Sequence, residues 1–347
     1  MKIRSVIQYL ESLAPPAYQE SYDNAGLIVG YPDTEITGVL CCLDSTEAVV
    51  AEAVAKNCNL IVAHHPIVFK GLKRFNGRNY VERVVMQAIK NDIAVYAIHT
   101  NLDNMLYRGV NTRIGEQLGL QNTRILTPKK NIKKVIINGP ETGIVQLSKK
   151  LEKAELGYVQ AGKSSGIILR KNAGKRQGYS LEMVFPSAQK SSLTRLFNQP
   201  EMATNFTYEI SSVDNPNLNI GSGMIGELPE AVPERDFLKY LKDRMRVSVI
   251  KHTVLLNKPV KKIAWCGGAG GFLLRNAISQ KADIFITADY KYHEYFDADG
   301  RIVIADIGHY ESEQFTIDLL HEVISQKFRN FATHLTEVNT NPVRYFV

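Results

Sequence analysis

Asn59-Leu-Ile-Val-Ala-His-His-Pro66 is the stretch on which the reading of this chain turns. Leu60 to Ala63 is a short, unbroken apolar run, the pattern of a strand buried on both faces, and Pro66 stops the ladder from continuing much further. Open α/β sheets place their ligands at the carboxyl ends of such strands, and here that end carries two adjacent imidazoles, His64 and His65. A lone histidine beside a core strand is more often structural than a ligand; two in a row at a strand end point to metal. Consecutive side chains of an extended segment face opposite ways. Two neighbouring histidines therefore chelate one metal awkwardly but can each serve a different metal of a pair.

Outward from this strand, residues 1 to about 128 read as a helix followed by strand–helix alternation. Ile36 to Leu43 is a strand ending at Asp44-Ser-Thr-Glu47, a good cap for a helix over Glu47 to Lys56. Val81 to Asn91 reads as a helix and Ile93 to His99 as a further strand, so a mainly parallel sheet covered by helices is expected. From about Lys133 to Asn215 the order changes to strand (Val135–Asn138), helix (Thr142–Leu156), two strands (Gly166–Arg170, Tyr179–Pro186), helix (Ser187–Asn198) and strand (Phe206–Val213). That is the βαββαβ order of a ferredoxin-like module, and it contains no histidine. Past the proline- and glycine-rich stretch Gly221 to Pro233, alternation resumes: helix Phe237–Arg246, strands Lys262–Cys266, Ile284–Thr287 and Ile302–Ala305, and helix Ser312–Lys327. The fold class expected is α/β, mainly parallel sheets flanked by helices, interrupted by an inserted ferredoxin-like α+β module. The boundaries are 1–128 with 220–347 for the discontinuous α/β domain and 129–219 for the insert.

The bulk numbers agree with a folded protein of more than one core: 347 residues, 44% hydrophobic and 22% charged. Apolar runs such as Asp283–Ala288 are strand-sized, and the charged helical start Met1–Glu11 lacks the apolar core of a signal peptide, so the chain reads as cytoplasmic with no membrane partner. Its four cysteines (Cys41, Cys42, Cys58, Cys266) lack CxxC spacing and read as buried free thiols. The net charge of +7 is dispersed in short groups such as Lys129–Lys134. That favours an anionic small-molecule ligand in general and speaks only weakly for nucleic acid.

Other strand ends supply further ligand types. Asp103 ends Ile98-His-Thr-Asn-Leu-Asp103 and reads either as a helix-capping carboxylate or as a ligand, with His99 and Asn101 beside it. In Asp306-Ile-Gly-His-Tyr-Glu-Ser-Glu313, His309 and Glu313 are four apart and share a helical face, as a surface ion pair or as a ligand pair; Glu311 is out of phase. Three imidazoles and two carboxylates without thiolate suit Zn, Fe, Mn, Ni or Co. Five ligands exceed the need of one open site and fit two divalent cations sharing a bridging carboxylate. The loop Cys266-Gly-Gly-Ala-Gly-Gly271 fails the usual phosphate-loop spacings. Gly267, Gly268 and Gly270 could still present amides to an anion, or could serve a turn that needs close backbone approach. Lys291 and His293 in Asp289-Tyr-Lys-Tyr-His293 stand at another strand end as candidate substrate contacts.

Taken together, Tyr22-Asp-Asn-Ala-Gly-Leu-Ile-Val-Gly30, Ala63-His-His-Pro66, His99–Asp103, Cys266–Gly270, Asp289–His293 and Asp306–Glu313 resemble the Nif-three-like family, whose members are often labelled GTP cyclohydrolase 1 type 2 homologs. The resemblance covers both flanks of the chain. It implies a dinuclear metal centre held by His64, His65, Asp103, His309 and Glu313, and a homohexameric ring. It also implies an inserted domain similar to PII and CutA proteins at residues 129–219, although Glu155–Gly162 departs from the usual pattern of that insert. The function expected is a metal-dependent hydrolase of a nucleotide-like or other phosphate-bearing small molecule. In that reading Gly267, Gly268, Gly270 and Lys291 receive the anion, and His99 or His293 assists proton transfer. The alternative is a non-catalytic ring that scaffolds, stores or delivers metal, with a nucleic-acid-binding ring as a third reading.

Overall fold

The computed structural model describes residues 1–153, 167–171, 178–203 and 205–346. They fold as two compact units, Met1–Thr127 with Asn219–Val347, and Pro128–Leu218.

The first unit is built on two sheets. In one, the strands run in the order Gly26–Val29, Ala94–Ala97, Leu60–Ala63, Gly38–Cys42, Ala332–Leu335, all parallel except the antiparallel edge Gly26–Val29. In the other, the order is Lys251–His252, Val303–Asp306, Ile284–Thr287, Pro259–Trp265, Asn217–Pro233, Gln121–Lys129, with three parallel strands at its centre. Alternation along each strand assigns the layers. Val39, Cys41, Leu60, Val62 and Tyr96 join Ile263, Trp265, Ile286 and Ala305 of the second sheet in one core, completed by the helices Ile3–Leu13, Val110–Gln117, Glu234–Arg244 and Thr316–Lys327. Leu40, Ile61, Ala63 and Val95 face the other way, under the helices Glu47–Ala55 and Tyr80–Lys90. Phe285 and Ile304 do the same on the second sheet, under Leu274–Ser279. Trp265 is fully buried, and its indole N–H donates to the Asn111 carbonyl at 2.7 Å, which satisfies the polar edge such a ring brings into a core. All four cysteines are buried free thiols. Among the described residues no helix is long and apolar enough to cross a membrane.

The stretch Gly221–Pro233, read from composition as a break, lies within a long strand, Asn217–Pro233, antiparallel to Pro259–Trp265. Its prolines and glycines are absorbed at irregular points: the register shifts between Glu227 and Val232, and Gly223 takes φ +60°. The expected helix Ser312–Lys327 is two helices, His309–Glu313 and Thr316–Lys327. The parallel edge strand Ala332–Leu335 carried no period-2 signal strong enough to be read.

The second unit has a four-stranded antiparallel sheet ordered Ile167–Lys171, Tyr179–Pro186, Ile132–Gly139, Thr207–Ser212. Its core joins Val135, Ile137, Leu181, Met183 and Phe185 to Ile144, Leu147 and Leu151 of the helix Glu141–Lys153, and to Leu193 and Phe197. This placement of strands is the ferredoxin-like one. The segment Glu155–Gly162 and residues 172–177 of the expected turn lie outside the described residues.

Candidate metal centre

The side chains are delivered by the carboxyl ends of strands from both sheets. The amides of His64 and His65 donate to the Cys42 and Leu43 carbonyls at 3.0 and 2.9 Å, which holds the pair rigidly just past the strand Leu60–Ala63. Asp103 closes the single-turn helix Thr100–Asp103 beyond the strand Ala94–Ala97. From the second sheet, Val303–Asp306 turns through Gly308, at φ +92°, into the short helix His309–Glu313. Because the chain leaves strand geometry at His64, the two histidine rings do not face opposite ways. They converge on one side, with ring centroids 4.8 Å apart.

Glu313 is the hub. Its Oε2 lies 3.0 Å from His65 Nε2, 3.2 Å from His309 Nε2 and 3.8 Å from His64 Nε2, and Asp103 Oδ1 lies 3.5 Å from His64 Nε2. Among the described residues, three sets of ligand atoms are mutually close enough to hold a cation: His64 with Asp103 and Glu313, His65 with His309 and Glu313, and His64 with His65 and His99. His64 Nε2 and Asp103 Oδ1 are buried without a hydrogen-bond partner. Buried polar atoms left this way are costly, and a cation between them would satisfy both.

The other nitrogen of each imidazole is engaged behind the site. His64 Nδ1 meets the Ile98 carbonyl at 2.9 Å, His65 Nδ1 meets Asp44 at 2.8 Å, His309 Nδ1 meets Asp289 at 2.7 Å, and His99 Nδ1 meets Asp23 at 2.8 Å. A carbonyl only accepts, so the His64 proton sits on Nδ1 and its Nε2 lone pair faces the centre. The carboxylates orient the other rings in the same sense. Burial pushes His64 down, favouring the neutral imidazole that a metal needs. Burial would also lower His65 and His309, yet their carboxylate partners Asp44, Asp289 and Glu313 raise them to about 10 and about 11. Burial would raise both acids of the centre. It does so for Asp103, helped by the charge of Glu313, whereas the imidazoles of His309, His64 and His65 hold Glu313 well below the usual carboxylate range. The arrangement can therefore bind cations through imidazole nitrogen and carboxylate oxygen, beside a cavity of about 720 Å³ lined by His65, His99, Asp103, His309 and Glu313 among others.

A profile described as Duf34/NIF3 (NGG1p interacting factor 3) matches residues 1–342. The chain belongs to this family. A relative from Staphylococcus epidermidis named GTP cyclohydrolase 1 type 2 homolog is 32% identical over 372 aligned positions, covering 99% of this chain and 100% of the relative. One of the same name from Staphylococcus aureus is 30% identical over 371 positions, covering 99% of this chain and 100% of the relative. Among solved structures, a Bacillus cereus protein related to NIF3 superimposes with a TM-score of 0.81 at 29% identity, covering 100% of this chain and 99% of that one.

In this NIF3-family chain the residues expected to contact substrate divide: Gly267, Gly268 and His99 line the cavity, and Gly270, Lys291 and His293 do not. Lys291 and His293 lie outside the cavity lining and are exposed. The chain turns at Asp289, which takes φ +59° and faces His309, and the short helix Tyr292–Ala298 then carries His293 against Tyr292, ring centroids 5.2 Å apart. The glycine loop does not offer a free anion cradle at the positions expected of it. The amides of Gly267, Gly268 and Gly270 donate to Asn111 Oδ1, Ser312 Oγ and Thr287 Oγ1, each at 2.9 Å. Its glycines answer a need for close approach instead: a Cβ on Gly268 would stand 2.6 Å from Glu313 Oε1. His99 lines the cavity, its ring 5.4 Å from those of His64 and His65.

Sequence reasoning missed Asp44, Asp289 and Asp23 as partners of the histidines. Asp44 and Asp289 both follow strand runs, which was a usable signal, but Asp44 was absorbed into a helix cap that Thr46 provides. Asp23 Oδ1 meets His99 Nδ1, and Oδ2 accepts from the Thr100 amide and hydroxyl. Burial alone would raise this acid, but His99 and Thr100 bring it down to about 2. A depressed carboxylate stabilises the fold above its unfolded value of about 4 and ceases to as pH falls through its folded value. Asp23→Asn should therefore cost on the order of 1–2 kcal/mol at neutral pH after allowance for solvent screening. Denaturant melts at several pH values check this: the gap between variant and wild type should close as pH drops from about 4 towards about 2, and a gap independent of pH would refute the assignment.

Proposed function

We propose that the chain binds two divalent cations, drawn from Zn, Fe, Mn, Ni or Co, and acts as a metal-dependent hydrolase on a nucleotide-like or other phosphate-bearing small molecule. The observation that carries the cation reading is the convergence of His64, His65, Asp103, His309 and Glu313, with His64 Nε2 and Asp103 Oδ1 buried and unpartnered. Glu313 belongs to two of the close ligand sets and supports the role of bridge; His64 with Asp103 would complete one cation site and His65 with His309 the other. When bound, such a pair supplies Lewis acidity and a water made acidic at neutral pH. The chain itself orients the imidazoles through Ile98, Asp44 and Asp289. It also holds His99, fixed by Asp23, at the cavity where its Nε2 can take or give a proton to a bound substrate.

A second reading, a metal-binding scaffold or storage and delivery protein without turnover, is favoured by the engaged amides of the glycine loop and by the placement of Lys291 and His293 outside the cavity. In both readings the chain is cytoplasmic and a subunit of a homohexameric ring, and residues 129–219 form a PII/CutA-like insert. The supports are the family resemblance and, for the insert, the strand order of the second unit. The deciding experiment is turnover of a nucleotide and phosphoester panel by the whole protein, with each metal and with metal removed. Metal-dependent hydrolysis that disappears in His65→Ala supports the enzyme. Full metal occupancy with no product from any substrate establishes the scaffold instead.

A further inference from the structure

The segment that follows the edge strand Ala332–Leu335 crosses from the first sheet to the helix His309–Glu313 of the second. It is anchored at its start, where the Thr336 amide donates to the Cys41 carbonyl at 3.0 Å and the Glu337 amide to Glu52 Oε1 at 2.8 Å. Two consecutive residues then reach opposite arms of the metal centre. The Thr340 hydroxyl donates to Asp44 Oδ2 at 2.7 Å, and the other oxygen of Asp44 is the one that meets His65 Nδ1. The Asn341 side-chain amide donates to Glu311 Oε1 at 2.9 Å, and Glu311 sits in the helix that carries His309 and Glu313. Asn341 is itself fixed, its side-chain oxygen accepting from the Val343 amide at 3.0 Å and its own amide donating to Asn339 Oδ1 at 3.0 Å. Beyond it, Pro342, Val343 and Tyr345 line the cavity.

A continuous run of polar contacts thus leads from Thr340 through Asp44 and His65 to Glu313 Oε2, and a second contact made by the neighbouring residue holds the far helix. The two arms belong to different sheets, so nothing in strand pairing sets their separation. From this we infer that Thr340 and Asn341 clamp the metal centre as positioning residues. They set the distance between His65 and the His309–Glu313 helix, while Pro342, Val343 and Tyr345 wall the space in front of it. The inference rests on the reading of the site as a cation site and adds a residue pair outside the cation-facing set.

The test uses the full chain loaded with zinc as a probe metal and follows zinc release into excess colorimetric chelator, alongside thermal melts of the metal-free proteins. Loss of the partners that orient metal-facing groups weakens metal binding by about tenfold or more. Thr340→Val combined with Asn341→Ala should accordingly release zinc about tenfold faster than wild type. Thr340→Ser, which keeps the hydroxyl donor, should release it at the wild-type rate. A double variant that melts earlier yet releases zinc at the wild-type rate would reduce the segment to a packing element and overturn the clamp. A Thr340→Ser protein as leaky as the double variant would overturn the hydrogen-bond mechanism. Wild-type protein that takes up no zinc would bring down the cation reading, and the clamp with it, in an arm separate from the variants.

Discussion

Glu313→Ala should leave the protein essentially free of bound divalent metal and lower the stability of its metal-free form by about 3 kcal/mol. Both effects come from one oxygen. Glu313 Oε2 faces His65 and His309 at 3.0 and 3.2 Å, and the side chain is only 3% exposed. Among the described residues no other carboxylate belongs to more than one of the close ligand sets. Without a cation, Glu313 also shares with Asp44 and Asp289 the task of raising His65 and His309. Truncation removes the carboxylate these two imidazoles share and leaves a void beside the largely buried His65, and breaking a buried ion pair is among the most costly defects a core can carry. Elemental analysis of protein purified without affinity metals reads the first effect, and denaturant melts of the metal-free form read the second. A Glu313→Ala protein with wild-type metal stoichiometry would remove Glu313 from the centre altogether.

Gly268→Ala should be nearly as damaging, for a different reason. Gly268 takes φ +61°, a conformation that side chains adopt at a cost of about 1 kcal/mol. The added Cβ would stand 2.6 Å from Glu313 Oε1 and 3.2 Å from His309 Cε1. Since the Gly268 amide is tied to Ser312 Oγ, one residue before Glu313, the loop cannot retreat without pulling on the helix it serves. Metal affinity should fall by on the order of a hundredfold, as when the surroundings of a metal ligand are displaced. Chelator competition measures it. If the loop instead served as an anion cradle, Gly268→Ala would leave metal affinity intact and weaken only the binding of inorganic phosphate.

Much of the architecture was legible in local pattern. Leu60–Ala63 and Ile284–Thr287 are buried throughout, as unbroken apolar runs in a parallel sheet must be. The helix Ile3–Leu13 buries Ile3, Val6, Ile7 and Leu10, the spacing visible in the chain. Gly221–Pro233 was not legible as strand, because composition registers prolines and glycines without showing that a register shift and one left-handed residue accommodate them. That Lys291 and His293 stand outside the cavity was not legible either, because which side of a turn a residue occupies depends on backbone angles such as the positive φ of Asp289, and residue type alone does not report them.

By itself the sequence determined which side chains were available at strand ends: two imidazoles after one strand, an aspartate after another, and an i, i+4 His–Glu pair after a third. Each of those is a local fact, since alternation and helical spacing are written in neighbouring residues. Only the tertiary structure decided that these ends, from two different sheets, meet around Glu313. It alone decided that Asp44, Asp289 and Asp23 stand behind the histidines, and that Thr340 and Asn341 tie the two halves together. The reason is that a ring nitrogen can find its partner 248 positions away, and a carboxylate its hydroxyl donor 296 positions away, as readily as from a neighbour, and no period in the chain encodes those separations.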